Sequence, residues 1–233
     1  MKAFEKMIQI AGVMDMAEAR LLAAAGVTHL GFPLRLPVHR EDLGDAEAAA
    51  IIASLSPSVE TILITYLDEA RDVAWLCRRL GVRIVQLHGK ISPEEVLRLR
   101  RIAPEVAVIK SVIVKDSRLG KLGKEVLSYA PLVDAFITDS WDPATGACGA
   151  TGRVHDWDVS RQLADLSPKP MILAGGLGPE NVRQAIFQVR PAGVDAHTGV
   201  EGPDGRKDGK RVRSFVEEAR AAFRELDAAR GRG

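Results

Sequence analysis

The chain has 233 residues, is 46% hydrophobic and 27% charged, and carries a formal net charge of +1. These values suit one soluble domain over residues 1–233 and give no electrostatic footprint for a nucleic-acid surface. No apolar run approaches the roughly 20 residues of a membrane span, and residues 1–6 lack the apolar stretch of a secretion signal, so a cytoplasmic protein that does not engage membranes is expected. Cys77 and Cys148 are the only cysteines; they have no metal-ligand spacing and frame no disulfide, which fits a reducing compartment and gives no support for a metal.

Strand candidates alternate with helix candidates in eight units of about 29 residues, the pattern of a parallel sheet and, at this length, of a single (β/α)8 barrel. The first strand spans 7–13, followed by Asp15 as N-cap and an amphipathic helix closed by Gly26. A second strand over 29–32 precedes a long loop, 33–44, with Arg35, His39 and Arg40, and a helix from Asp45. Long loops on this side of a barrel belong to the site. Strand three covers 60–65, with Asp68 expected to cap the next helix, on which Cys77 reads as core. Strand four covers 82–87 and delivers His88 and Gly89 at its end. Ser92-Pro93-Glu94-Glu95 then supplies an N-cap, a proline at N1 and a glutamate at N3.

Strand five covers 107–114, with a helix over 117–129. Lys110 within it reads as a structural cation along the barrel interior, with a Schiff-base amine as the alternative. Strand six, 133–138, ends at Asp139, a carboxylate delivered to the mouth. The loop 141–156 carries Gly146, Gly149 and Gly152, a density that suits folding over a ligand, with plain surface loop as the alternative. Asp158 is expected to begin helix six. Helix eight is expected over about 208–227, with a frayed basic tail at 228–233.

The last two units carry glycines at both turns. Strand 171–174 runs into Gly175 and Gly176, with Pro179 expected to open a helix; strand 194–196 runs into Thr198, Gly199 and Val200. Adjacent glycine turns let backbone amides approach an anion closely, and late in a (β/α)8 barrel such a pair is where phosphate is held.

Several blocks together resemble the phosphoribosylanthranilate isomerase family of tryptophan biosynthesis. They include Gly31-Phe32, Val85-Gln86-Leu87-His88-Gly89, Val108-Ile109-Lys110, Asp139-Ser140, Thr151-Gly152 through Asp156-Trp157, Leu173-Ala174-Gly175-Gly176-Leu177, Val194-Asp195, Gly199-Val200-Glu201 and Lys207-Asp208. The resemblance implies a (β/α)8 barrel that works without a cofactor and performs an Amadori rearrangement of an N-substituted 5-phosphoribosylamine. A general acid opens the furanose ring and a general base removes the C2 proton. By position, Asp139 matches the family's acid and Arg40 its anthranilate-binding arginine. His88 belongs to a family motif and is read as a substrate-binding residue.

The first strand departs from the family. Where the family reads lysine-isoleucine-cysteine-glycine, with the cysteine as base, this chain reads Gln9-Ile10-Ala11-Gly12. Ala11 accepts no proton, and losing such a base costs on the order of 10² to 10⁴ in rate. The family's two strand-eight serines become His197 and Thr198. Histidine accepts a proton near neutrality, so His197 is the first candidate for a replacement base, ahead of His88, His39, Asp15 and Cys148. Three functions follow: an isomerase of this type with an altered base, an isomerase or lyase on another phosphorylated sugar, and a phosphate-ligand binding protein without turnover. The implied partner is a phosphorylated sugar or phosphoribosylamine, with a homodimer as an allowed assembly.

Overall fold

The computed structural model describes residues 4–36, 43–55, 57, 59–115, 119–140 and 155–230. Eight strands, β1 (Met7–Ala11), β2 (His29–Leu34), β3 (Glu60–Thr65), β4 (Ile84–Leu87), β5 (Ala107–Val114), β6 (Ala135–Ser140), β7 (Met171–Leu173) and β8 (Gly193–Ala196), close in chain order into a parallel barrel. Around it lie α1 (Met16–Ala24), α2 (Asp45–Ser54), α3 (Ala70–Leu80), α4 (Pro93–Ile102), α5 (Leu119–Tyr129), α6 (Trp157–Leu166), α7 (Val182–Val189) and α8 (Gly209–Arg230). The expected (β/α)8 architecture is therefore the one observed. Among the described residues, no helix is long and apolar enough to cross a membrane.

Successive strand residues point to opposite faces, and the two faces fill two apolar layers. Ile8, Ile10, Leu30, Leu63, Val85 and Val108 pack outward against the helices. Met7, Ala11, Ile62, Ile84, Ile109, Ile137 and Ile172 fill the interior. The interior set alternates with the outer set along each strand, so Gln9, Gln86, Ser111, Asp139 and Asp195 share the inner face.

Several boundaries differ from those expected. β1 stops at Ala11 because Gly12 turns to φ +80° and leaves the extended region. β2 runs on through Pro33 to Leu34, opposite Ile64 and Thr65. β4 begins two residues late, at Ile84. β6 spans Ala135–Ser140, so Asp139 lies inside the strand, opposite Ile113 of β5. α8 continues to Arg230, past its expected end.

The caps divide in the same way. Asp15 accepts the Glu18 amide at 2.8 Å, and Ser92 accepts that of Glu95 at 3.3 Å with Pro93 in the first turn. Asp68, however, does not cap α3; Glu69 holds that position, and the Ala70 amide donates to Glu95 Oε2 of α4 at 2.8 Å. α6 begins at Trp157, one residue before the expected Asp158, and Asp156 caps it, accepting from the Asp158 amide. Pro179 lies before α7 rather than at its start, because Asn181 stitches the turn. Its Oδ1 accepts from Gly178 N and its Nδ2 donates to the Gly176 carbonyl, each at 2.9 Å.

Candidate active site at the strand ends

All eight strands are parallel, so their C-terminal ends form one mouth. Ala11 ends β1, His88 follows β4, Asp139 is the penultimate residue of β6, and His197 follows β8. The structure thus brings these four to the same end. Arg40, His39 and Cys148 lie outside the described residues; Arg35, on the near side of that loop, pairs with Asp45 at 2.8 Å.

Asp139 is only 7% exposed. Burial disfavours its charge and lifts the carboxyl from 3.8 to about 7, against the Ser140 amide, which donates to Oδ1 at 2.7 Å and pulls the other way. A carboxyl with that affinity keeps a proton near neutrality and can give it up, which is what a general acid requires.

His197 occupies a position that strand order alone does not suggest. Its imidazole rests on Gly12, so closely that a methyl group built there would overlap the ring. The base candidate from β8 therefore sits over the residue next to Ala11. Its Nε2 is 3.5 Å from Glu201 Oε1, and that carboxylate also receives buried Lys207 Nζ at 2.6 Å. Lys207 is itself anchored by its amide, which donates to Glu18 Oε1 at 2.9 Å.

His88 faces a different part of the mouth. Its Nδ1 is 2.9 Å from Ser111 Oγ, and its ring lies 4.8 Å from that of Tyr66. Beyond it opens a cavity of about 1000 Å³ over β3, β4 and β5, where Lys90, Lys115 and Lys121 line the wall with Tyr66 and Tyr129. Lys110 reaches into the same region, but its ammonium donates to the carbonyls of Leu87, Gly89 and Ser111 at 3.3, 3.1 and 2.9 Å. Three acceptors take its three hydrogens. Lys110 is a structural cation, although burial lowers it to about 8.

The two glycine turns interlock. Gly175 and Gly176 have φ of +95° and +64°, a region costly for other residues. A β-carbon on Gly199 would run into the Leu177 carbonyl, and one on Gly178 would come within 2.9 Å of the Gly199 carbonyl. Thr198–Val200 forms a single 3-10 turn. Arg211 clamps it, with Nε and Nη2 donating to the Gly199 carbonyl at 3.2 and 2.9 Å.

Sequence reasoning passed over His155, Glu201, Gln9 and Asp195. His155 packs against Gly175 and donates or accepts through Nε2 at Ser160 Oγ, 2.6 Å away; burial lowers its ring to about 4. Its place inside the block from Thr151 to Trp157 was the available signal. Among the described residues, no three His, Cys, Asp or Glu side chains gather to hold a metal ion.

Fold and mouth define a (β/α)8-barrel protein whose ionisable groups and glycine turns meet at the C-terminal ends of the strands. The model of the family N-(5'-phosphoribosyl)anthranilate (PRA) isomerase matches residues 12–218, and the chain belongs to that family. An N-(5'-phosphoribosyl)anthranilate isomerase of Methanosarcina mazei is 34% identical over 221 residues, 93% of this chain and 95% of that protein. The crystal structure of the Thermotoga maritima phosphoribosyl anthranilate isomerase superposes with a TM-score of 0.79 at 27% identity, covering 93% of this chain and 99% of that one. A phosphoribosyl anthranilate isomerase in complex with reduced 1-(o-carboxyphenylamino)-1-deoxyribulose 5-phosphate gives 0.77 at 25% identity, with the same coverage.

Proposed function

We propose that the chain isomerises an N-substituted 5-phosphoribosylamine by an Amadori rearrangement, with Asp139 as general acid and His197 as base in place of the family's cysteine. The observation that carries this is the seat of His197 on Gly12, beside Ala11, which stands where the family pattern has its cysteine. The phosphate lies at Gly175 and Gly176 on one side and Thr198, Gly199 and Val200 on the other, held by backbone amides. Asp139 gives its proton to the furanose ring oxygen as the C1–O bond breaks, leaving an iminium ion. His197 takes the C2 proton, and the electron pair released neutralises the iminium to give the enolamine. Tautomerisation yields the aminoketose. His88 and Arg40 meet the N-substituent.

The substitution Ala11→Cys tests the base. Restoring the thiol is expected to raise kcat on phosphoribosylanthranilate by at least about tenfold, roughly 1.4 kcal/mol off the barrier. His197→Ala should abolish the activity of the parent chain. Full activity that survives His197→Ala would remove His197 from the mechanism. A second reading rests on the cavity over β3–β5, whose lysine-lined wall favours a phosphorylated sugar with an N-substituent larger or more anionic than anthranilate. No turnover of phosphoribosylanthranilate by either the parent or Ala11→Cys, with phosphate still bound, selects that reading or a binding protein without turnover.

A further inference from the structure

β4 ends at Leu87, but the carbonyls beyond it still find donors on the β5 side. In the parallel register Leu87 stands beside Lys110, and the Lys110 ammonium donates to the carbonyls of Leu87 and Gly89 at 3.3 and 3.1 Å. Two residues on, the Tyr129 hydroxyl of α5 donates to the Ile91 carbonyl at 2.5 Å. Every second carbonyl from 87 to 91 is thus taken by a side chain of the following β/α unit. The residues on either side of His88 hang on one ammonium. Lys110 is only 4% exposed, and its third hydrogen goes to the Ser111 carbonyl at 2.9 Å. An ammonium suits this place because its three hydrogens reach carbonyls of two strands at once, whereas a hydroxyl donates one and an amide two.

The same stretch of β5 holds the His88 ring. Ser111, next to Lys110, has its Oγ 2.9 Å from His88 Nδ1. From the other side comes β3. The His88 amide donates to the Thr65 carbonyl at 2.9 Å, and the two rings of His88 and Tyr66 lie 4.8 Å apart. Gly89 fits against the Tyr66 carbonyl, where a β-carbon would come within 2.6 Å. His88 is therefore gripped at its amide, at both neighbouring carbonyls and at its ring, and it lines the cavity over β3, β4 and β5 together with Lys110 and Tyr66. Lys110 supplies two of these holds. Without its ammonium the carbonyls of Leu87 and Gly89 lose that donor, and a carbonyl that loses a buried donor turns toward another or toward water.

We propose that Lys110 is a positioning residue for His88: its ammonium pins the peptides on both sides of that residue, so that the ring keeps its seat on Ser111 Oγ at the wall of the cavity that receives the N-substituent. That the N-substituent meets His88 rests on the isomerase reading. That Lys110 sets the place of His88 does not.

Crystal structures and calorimetric titrations of the whole chain test the two parts separately. The probes are N-phenyl-1-amino-1-deoxyribitol 5-phosphate, which has an N-substituent and cannot isomerise, and ribose 5-phosphate, which has none. In Lys110→Met the His88 ring is expected to leave Ser111 Oγ by more than about 1 Å while the eight strands stay in place. The Kd of the N-phenyl probe should rise about tenfold, and that of ribose 5-phosphate by less than about twofold. In a His88→Ala background Lys110→Met should add less than about twofold for either probe, because its effect passes through His88. Lys110→Gln keeps at most two of the three hydrogen bonds and should displace the ring with a smaller loss of affinity, which keeps the test open if Lys110→Met fails to fold. A ring that stays on Ser111 Oγ in whichever of these variants folds overturns the proposal. So does an equal loss with and without His88, or an equal loss for both probes, since either marks a general loosening of the barrel. A displaced ring in a protein whose parent binds the N-phenyl probe no more tightly than ribose 5-phosphate supports the role of Lys110 and refutes the placing of the N-substituent at His88.

Discussion

Asp139 concentrates the energetics of the mouth in one side chain. Its folded value of about 7 lies above the 3.8 of an exposed aspartate, so between those values the folded state holds more protons than the unfolded chain. The sign follows from linkage: this contribution to stability is fully present below about pH 4 and is lost as pH rises through 7. Asp139→Asn cannot ionise, so it should match the parent at about pH 4 and exceed it at about pH 8, by at most about 4–5 kcal/mol. Urea unfolding at the two pH values checks this; equal stabilities at the higher value would show that the carboxylate is solvated in the folded protein. Residues of this kind were only partly legible in the sequence. Asp139 and His88 announced themselves because a polar residue at the end of an apolar strand is unusual. The interior row of His29 on β2, Gln9 on β1 and Asp195 on β8 did not, since each reads as one polar residue in an apolar run, and only the closure of β8 on β1 sets them side by side.

The helices show where local chemistry decides and where it is overruled. Asp15 was legible as a cap because it precedes its helix directly, and it is the residue that accepts the Glu18 amide. Asp68 looked equally apt, but α4 lies close enough for Glu95 to take the Ala70 amide, and a cap supplied from a neighbouring helix leaves no trace in the local sequence. Asp15→Ala should therefore cost about 1 kcal/mol, in the usual range of roughly 0.5–2. Asp68→Ala should stay within about 0.5 kcal/mol of the parent. Denaturant midpoints for the two variants decide the matter, and a larger loss at Asp68 would reverse the assignment. Asn181 displaces the start of α7 by the same logic: a side chain that satisfies Gly178 and Gly176 holds the turn open and leaves Pro179 outside the helix.

At the scale of the whole barrel, the two glycine turns join ligand binding to stability. Their presence was legible from the glycines; their interlock was not, because contact between the Leu177 carbonyl and Gly199 depends on how β7 and β8 lie beside each other. Gly199 has no room for a side chain, so Gly199→Ala must push the turns apart and displace the amides proposed to hold phosphate. Gly120, on α5, faces open space, and Gly120→Ala should gain about 0.5–1 kcal/mol from helix propensity alone. The comparison separates site from scaffold. A ligand that binds only the folded state adds about 2.7 kcal/mol at one hundred times its Kd, so ribose 5-phosphate should raise the Tm of the parent and of Gly120→Ala alike. Gly199→Ala should lose that increment, as should Gly176→Asp, which brings a negative charge to the turn. If Gly199→Ala folds with a lower Tm yet still gains the full increment from ribose 5-phosphate, the anion is held elsewhere on the barrel, and the cavity wall at Lys90 and Lys121 becomes the place to look.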